Sequence, residues 1–215
     1  MKTILIADDL PAHLDLFEVI LQRADCRLLR AEDGMAALRL ARGEMPDLIF
    51  LDIEMPGMNG GEVCRVIKAD PRSKSIPIVL VSSHYGPEFA EKCGADRFLP
   101  KPVEEPVLLA ELEKHLQLHA RGEDRLSVDW PIAFWREGNS HQGRLLDISR
   151  TGFFLAAEHP QSIGARLAIS FPLPEVEGGD RVYVGEAIVV RHDSAQRGGM
   201  GCRFFRTTQT GRSAL

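Results

Sequence analysis

The last lysine of this 215-residue chain is Lys114; all twelve cations of residues 120–215 are arginine, set against eleven acidic residues. A near-neutral stretch lacks the strongly basic face that duplex nucleic acid demands, and no helix-turn-helix pattern follows residue 120, so DNA is not an expected partner. Arginine without lysine points instead to planar, bidentate recognition. Cysteine is sparse as well. Cys26, Cys64, Cys93 and Cys202 show no CxxC spacing and lie within or beside apolar segments, which reads as reduced core residues. Long apolar runs are missing too: only the short run ILIA precedes Asp8, no stretch approaches a membrane span, and the expected location is the cytoplasm. His141, His159 and His192 have no spacing that compels a metal site.

What the chain does have is length for two small domains and a change of grammar between them. Residues 1–119 carry 14 basic and 20 acidic side chains and alternate strand-like with helix-like patterns. The strands are expected at Thr3–Ala7, Arg27–Ala31, Leu48–Asp52, Ile78–Ser82 and Arg97–Leu99. Helices are expected at Pro11–Arg23, Gly34–Arg42 (Asp33 as N-cap, Gly43 as stop), Gly61–Lys68 and Glu88–Cys93 closed by Gly94. A last helix should run from Val103 to His119 with Val107, Leu108, Leu112, Leu116 and His119 near one face. Five such βα units imply a parallel sheet covered by helices on both sides. The boundary should fall near Leu118–Asp124. Residues 120–215 then offer six short β-rich runs, Val128–Trp135, Gly143–Ile148, Phe153–Ala156, Arg166–Phe171, Val182–Val190 and Met200–Arg206, punctuated by Gly, Pro and Asn. The expected fold class is α/β plus β, the second domain a small six-stranded antiparallel barrel filled by Trp130, Phe134, Trp135, Phe153 and Phe154.

Chemistry-bearing residues sit at the ends of successive strand candidates in the first half: Asp8 and Asp9 after ILIA, Asp52 closing LIFLD, Lys101 after RFLP. In adjacent parallel strands these emerge at one sheet edge, where open α/β sheets build sites. Like charges about 4 Å apart repel by roughly 4 kcal/mol at a surface-like dielectric, so the acidic cluster calls for a cation. Mg²⁺ suits hard oxygen ligands and keeps room for phosphate, and Lys101 supplies a fixed positive charge for an incoming anion. The pattern reads as a phosphoryl-accepting carboxylate beside a metal.

These residues, together with Asp52 in LDIEMPGMNG, Ser82 in VLVSS, Phe98 and Lys101-Pro102, make residues 1–119 resemble a response-regulator receiver domain. The resemblance implies a doubly wound, flavodoxin-like sheet in the order 2-1-3-4-5. It implies that Asp52 takes a phosphoryl group from a sensor histidine kinase. Asp8, Asp9, Asp52 and the main-chain carbonyl of Glu54 would hold Mg²⁺, Lys101 and Ser82 would meet phosphate oxygens, and Phe98 would follow the serine inward. The fourth helix is short, with Pro87 near its start, a departure from a family whose fourth and fifth helices often form the output or dimer face.

Two further signatures occur in order in the second half: Arg121-Gly-Glu-Asp-Arg125 and Asp147-Ile-Ser149-Arg-Thr-Gly152. With the GMGCRF run they resemble the PilZ domain over most of 120–206, which implies cyclic di-GMP as ligand. An arginine fork can meet guanine O6 and N7 bidentately, so Arg121 and Arg125 fit the base edges. Asp147 can accept from guanine N–H groups, Ser149 can donate or accept, and Gly152 would let backbone and base approach closely. The same loop also fits an ordinary Ser-stabilised turn. The expected protein is a two-input signalling molecule that passes its state to an unidentified downstream protein, with a homodimer as one arrangement left open. Apart from phosphoryl acceptance and autodephosphorylation at Asp52, it shows no catalytic constellation and is not read as an enzyme. Arg121 directly follows the last helix, which suggests that a shift of that helix would move half the nucleotide site. The rival reading is a phosphorylation-dependent interaction module whose barrel ignores nucleotide.

Overall fold

Short apolar runs bounded by polar residues form five parallel strands, β1 (Lys2–Ala7), β2 (Cys26–Ala31), β3 (Leu48–Asp52), β4 (Ile78–Ser82) and β5 (Arg97–Pro100), hydrogen-bonded in the order β2-β1-β3-β4-β5. The computed structural model describes residues 1–21, 24, 26–116, 125–173, 181–193 and 199–212. The chain divides into two units, Met1–Arg121 and Gly122–Leu215. The expected boundary at 118–124 and His119 lie outside the described residues. Every residue of β3 and β4 is buried, because helices cover both faces, and this is why both read as unbroken apolar runs rather than alternating ones.

A helix follows each strand: α1 (Pro11–Leu21), α2 (Gly34–Glu44), α3 (Gly60–Ala69), α4 (Pro87–Lys92) and α5 (Glu105–Leu116). Asp33 caps α2 as expected, accepting from the Ala36 amide at 2.6 Å. The stop is not Gly43. The helix runs through it and ends on Met45 in the left-handed region (φ 47°), since Pro46 cannot extend it. A capping box opens α3: Asn59 and Glu62 exchange side-chain and backbone bonds at 3.0 Å. On α5 Leu108, Leu112 and Leu116 are buried as expected, but Val107 is 43% exposed. The face it was assigned to instead takes Glu111, whose carboxylate meets Arg97 and His115 at 3.1 Å each. Among the described residues no helix is long and apolar enough to cross a membrane.

At the opposite edge from the strand carboxyl ends, Asp47 ties β1 to β3 by accepting from Lys2 Nζ and the Thr3 amide, both at 2.8 Å. The Lys2 bond is the main reason its carboxyl lies below the ordinary 3.8. A depressed folded value means the contribution is present above about pH 4 and lost as pH falls through the lowered value. Asp47→Asn should therefore cost about 1 kcal/mol at pH 7 and progressively less as pH falls below about 4, as read by urea melts across that range.

The second unit is a closed barrel of six antiparallel strands, β6 (Leu126–Arg136), β7 (Asn139–Ile148), β8 (Gly152–Ala157), β9 (Arg166–Leu173), β10 (Arg181–Asp193) and β11 (Gly199–Arg212), ordered β10-β11-β8-β7-β6-β9. Glu137 (φ 50°) and Gly138 (φ 83°) make the two-residue turn between β6 and β7, both in the positive region that a tight hairpin requires. Phe134, Phe153, Leu155, Leu167, Ile169 and Phe171 pack inside the barrel, where Phe171 stacks on Tyr183 at 4.8 Å. Trp130 packs against this core, but Trp135 and Phe154 do not fill it. Strand alternation turns Phe134 inward, so Trp135 faces out and is 37% exposed. Phe154 sits opposite Gly201, with the Arg191 guanidinium 5.7 Å from its ring centre. Cys64, Cys93 and Cys202 are buried free thiols and Cys26 is half-buried. Burial pushes Cys64 and Cys202 up to about 12, which makes them poor nucleophiles.

Candidate functional site

Parallel register sets the first site. Leu51 pairs with Ala7, Asp52 with Val81 and Ser82 with Pro100, so Asp8, Asp9, Asp52, Ser82 and Lys101 all lie at the carboxyl edge of the sheet. Asp8, Asp52 and Ser82 are buried at 6%, 3% and 1% exposure, whereas Asp9 is exposed. Each of the three aspartates offers an oxygen within 4.8 Å of the others. Lys101 Nζ bridges two of them, 2.7 Å from Asp8 Oδ2 and 2.9 Å from Asp52 Oδ2. Below the carboxylates the walls are apolar, formed by Ile6, Leu14, Phe17, Phe50 and Val81.

This setting separates the two buried acids. Burial works against the Asp8 charge, but His13 and Lys101 outweigh it and hold the group below its ordinary 3.8. Burial also dominates at Asp52, and with the Asp8 charge nearby it overcomes the Lys101 bond and lifts the group above 3.8. Asp52 is thus the more basic of the pair, which is the property a nucleophilic carboxylate needs.

Ser82 Oγ accepts from the His84 and Tyr85 amides at 3.0 and 3.1 Å and donates to Glu54 Oε2 at 3.3 Å. It therefore shapes the turn after β4 while facing the site. The Glu54 carboxylate meets His84 Nδ1 at 2.8 Å, so the side chain turns toward the β4–α4 loop and not toward Asp52. Phe98 pairs with Leu80 and packs, partly buried, on the core.

Sequence reading missed three participants. His13 Nδ1 lies 3.0 Å from both Asp8 oxygens and 3.1 Å from Lys101 Nζ. Its signal was available: a helix starting at Pro11 places residue 13 on its first turn, above the strand end that carries Asp8. His84 had no comparable mark. Gly60 is the third, since a Cβ there would come 2.0 Å from the Asp52 carbonyl oxygen.

The second site lies at the start of β6 and the end of β7. Arg125 Nε donates to Asp147 Oδ1 at 3.0 Å, with both side chains about 30% exposed. Arg121 lies outside the described residues. Ser149 closes the loop onto Gly152: its amide and hydroxyl donate to the Gly152 carbonyl at 2.8 and 3.0 Å, and Gly152 N–H donates back to Ser149 Oγ at 3.3 Å. A Cβ at Gly152 would come 2.2 Å from the Cys202 carbonyl oxygen, so glycine there admits the close approach of β11. Arg150 is exposed.

Comparison with known proteins agrees with both halves. Residues 4–113 match the response regulator receiver domain family, and residues 119–215 match the PilZ domain family. The chain is 39% identical over 110 residues to the response regulator PleD of Caulobacter vibrioides, a match spanning 50% of this chain and 24% of that protein. It is 35% identical over 112 residues to protein PilH of Pseudomonas aeruginosa, spanning 51% of this chain and 93% of that protein. The chemotaxis protein CheY4 of Vibrio cholerae, 29% identical, superposes with a TM-score of 0.51 over 54% of this chain and 99% of its own.

Proposed function

The chain belongs to the response regulators, carrying a receiver domain followed by a PilZ domain, and from that premise we propose that it integrates two inputs, phosphorylation of Asp52 and binding of cyclic di-GMP, and relays them to a downstream protein. The observation that carries the first input is Lys101 Nζ bridging Asp8 and Asp52 at a buried strand edge. A sensor histidine kinase in the cytoplasm is the phosphoryl source this reading requires.

An Asp52 Oδ attacks the phosphorus of the donor's phosphohistidine. The new O–P bond forms as the N–P bond breaks, and the departing imidazole keeps the electron pair and takes a proton from solvent. Lys101 stays beside the gained negative charge, and Ser82 Oγ–H turns from Glu54 to a phosphoryl oxygen. The three-aspartate oxygen set fits a hard divalent cation and has no soft donor in it. Asp8, Asp9, Asp52 and the Glu54 carbonyl would hold Mg²⁺, whose chemistry here is neutralisation of phosphoryl charge.

In the second unit, Arg125 exchanges its carboxylate partner for a guanine edge and Asp147 accepts from guanine N–H groups. A partly exposed ion pair of this kind is worth only about 0–1 kcal/mol, so the exchange meets little resistance. Arg121 is the second fork of this proposal. The rival reading, a barrel that docks a protein and ignores nucleotide, draws on the exposed outer positions Trp135 and Val184.

Calorimetric titration of cyclic di-GMP into the full chain with Mg²⁺, with and without beryllofluoride at Asp52, separates these readings. Binding in both states with altered affinity supports an integrator, for which a coupling of about 1–3 kcal/mol is usual. Equal affinities mean independent inputs, and no binding in either state favours the docking module.

A further inference from the structure

We propose that Arg203, a residue of neither signature, is a positioning residue of the nucleotide site: it holds the Thr151 corner of the loop and thereby sets Asp147 and Ser149. The proposal rests on the reading of this loop as a cyclic di-GMP site. Arg203 is only 4% exposed, which is rare for an arginine. It pairs in register with Gly152 on β8, at the very end of the loop.

Three observations fasten the loop to β11 at this point. The Arg203 guanidinium donates to Thr151 Oγ1. The next residue along β11 repeats the grip through the backbone, Phe204 N–H donating to the Thr151 carbonyl at 3.0 Å. A Cβ on Gly152 would come 2.2 Å from the Cys202 carbonyl oxygen and 3.1 Å from Arg203 Cδ, so the β11 backbone demands glycine and the arginine stem packs against the same position. Glycine at 152 and arginine at 203 are thus two parts of one fitting.

On its other side the loop is closed by Ser149 through its own bonds to Gly152. Ser149 therefore stands on a short loop fastened at both ends, and Asp147, two residues before it on β7, is held by pairing with Phe154 of β8, so a ligand finds their oxygens already placed. Preorganisation of this kind raises affinity by removing ordering entropy from the binding step. A lysine at 203 would offer a point charge with no planar fork and would leave the corner free to shift.

The test titrates cyclic di-GMP into full-length wild type, R203K, T151V, T151S and the R203K/T151V pair, with a thermal melt of each. The expected result is a loss on the order of tenfold for R203K and for T151V. The pair should lose little more than either alone, because both break one contact. T151S, which keeps the hydroxyl, should bind like wild type. T151V is the safeguard should R203K fold poorly, since it leaves the buried arginine in place. Wild-type affinity in T151V would overturn the proposal, as would additive losses or a loss that T151S shares. A wild-type chain that does not bind overturns both this proposal and the reading beneath it, whereas a binding wild type with unchanged variants overturns this one alone.

Discussion

Asparagine at position 52 should abolish phosphoryl acceptance while leaving the chain folded. Incubated with a small-molecule phosphodonor and Mg²⁺, wild type is expected to gain one phosphoryl group by intact mass, removed by hydroxylamine as an acyl phosphate would be, and D52N to gain none. An amide has neither the charge nor the available lone pair of the carboxylate, and Asp52 is the buried acid that Lys101 holds at 2.9 Å. A D52N chain that still acquires the adduct would sink the assignment.

The same variant carries a stability signature whose sign differs from that of its neighbour. Burial, reinforced by the Asp8 charge, raises Asp52 above 3.8 against the pull of the Lys101 bond, so at pH 7 its ionised form makes the fold less stable than a neutral group would. Burial opposes the Asp8 charge as well, but His13 and Lys101 overcome it and depress the group. The Asp8 contribution is thus present above about pH 4 and disappears as pH falls through the lowered value. In metal-free buffer at pH 7, D52N should melt above wild type and D8N below it. Added Mg²⁺ should narrow the first gap, because a cation relieves the repulsion that the asparagine removes. Melting in the reverse order would show that the Lys101 bridge outweighs burial at Asp52.

The second large effect is expected at Arg125. A good bidentate contact to a guanine edge is worth about 1–3 kcal/mol, so R125A should weaken cyclic di-GMP binding roughly 10- to 100-fold. Its melting temperature should hardly move, since the pair with Asp147 is partly exposed and such pairs contribute about 0–1 kcal/mol. Calorimetry and a thermal melt on the same preparation check both halves. Unchanged affinity in R125A would shift the weight to the docking reading, in which Trp135 and Val184 on the outer barrel wall become the residues to substitute.

Much of this architecture is legible from period and punctuation. Fully apolar runs ending in Asp52 and Ser82 announce strands buried on both faces, and a parallel sheet has only one edge to which their final residues can point. That geometry brings Asp8, Asp9, Asp52, Ser82 and Lys101 together before any coordinate is known. The change after residue 120 to short runs split by turn residues announces the barrel in the same way. These signals are local: hydrophobic alternation, a capping aspartate at 33, Gly, Pro and Asn between the barrel strands.

Contacts between segments far apart in the chain decided the rest. Which residue beside Leu108 turned outward and whether Trp135 faced the core depended on packing phase rather than residue type. Glu54 turned to His84 because the loop after β4 comes within 2.8 Å of it, and His13 met Lys101, 88 positions along the chain, at 3.1 Å. Gly152 shows the difference most plainly. Its place in DxSxxG marks it as a residue that needs room, and that much is written in the chain. What takes the room is the Cys202 carbonyl and the Arg203 stem on β11, and only strand pairing, which sets non-local backbone 2.2 Å from where a Cβ would sit, could say so.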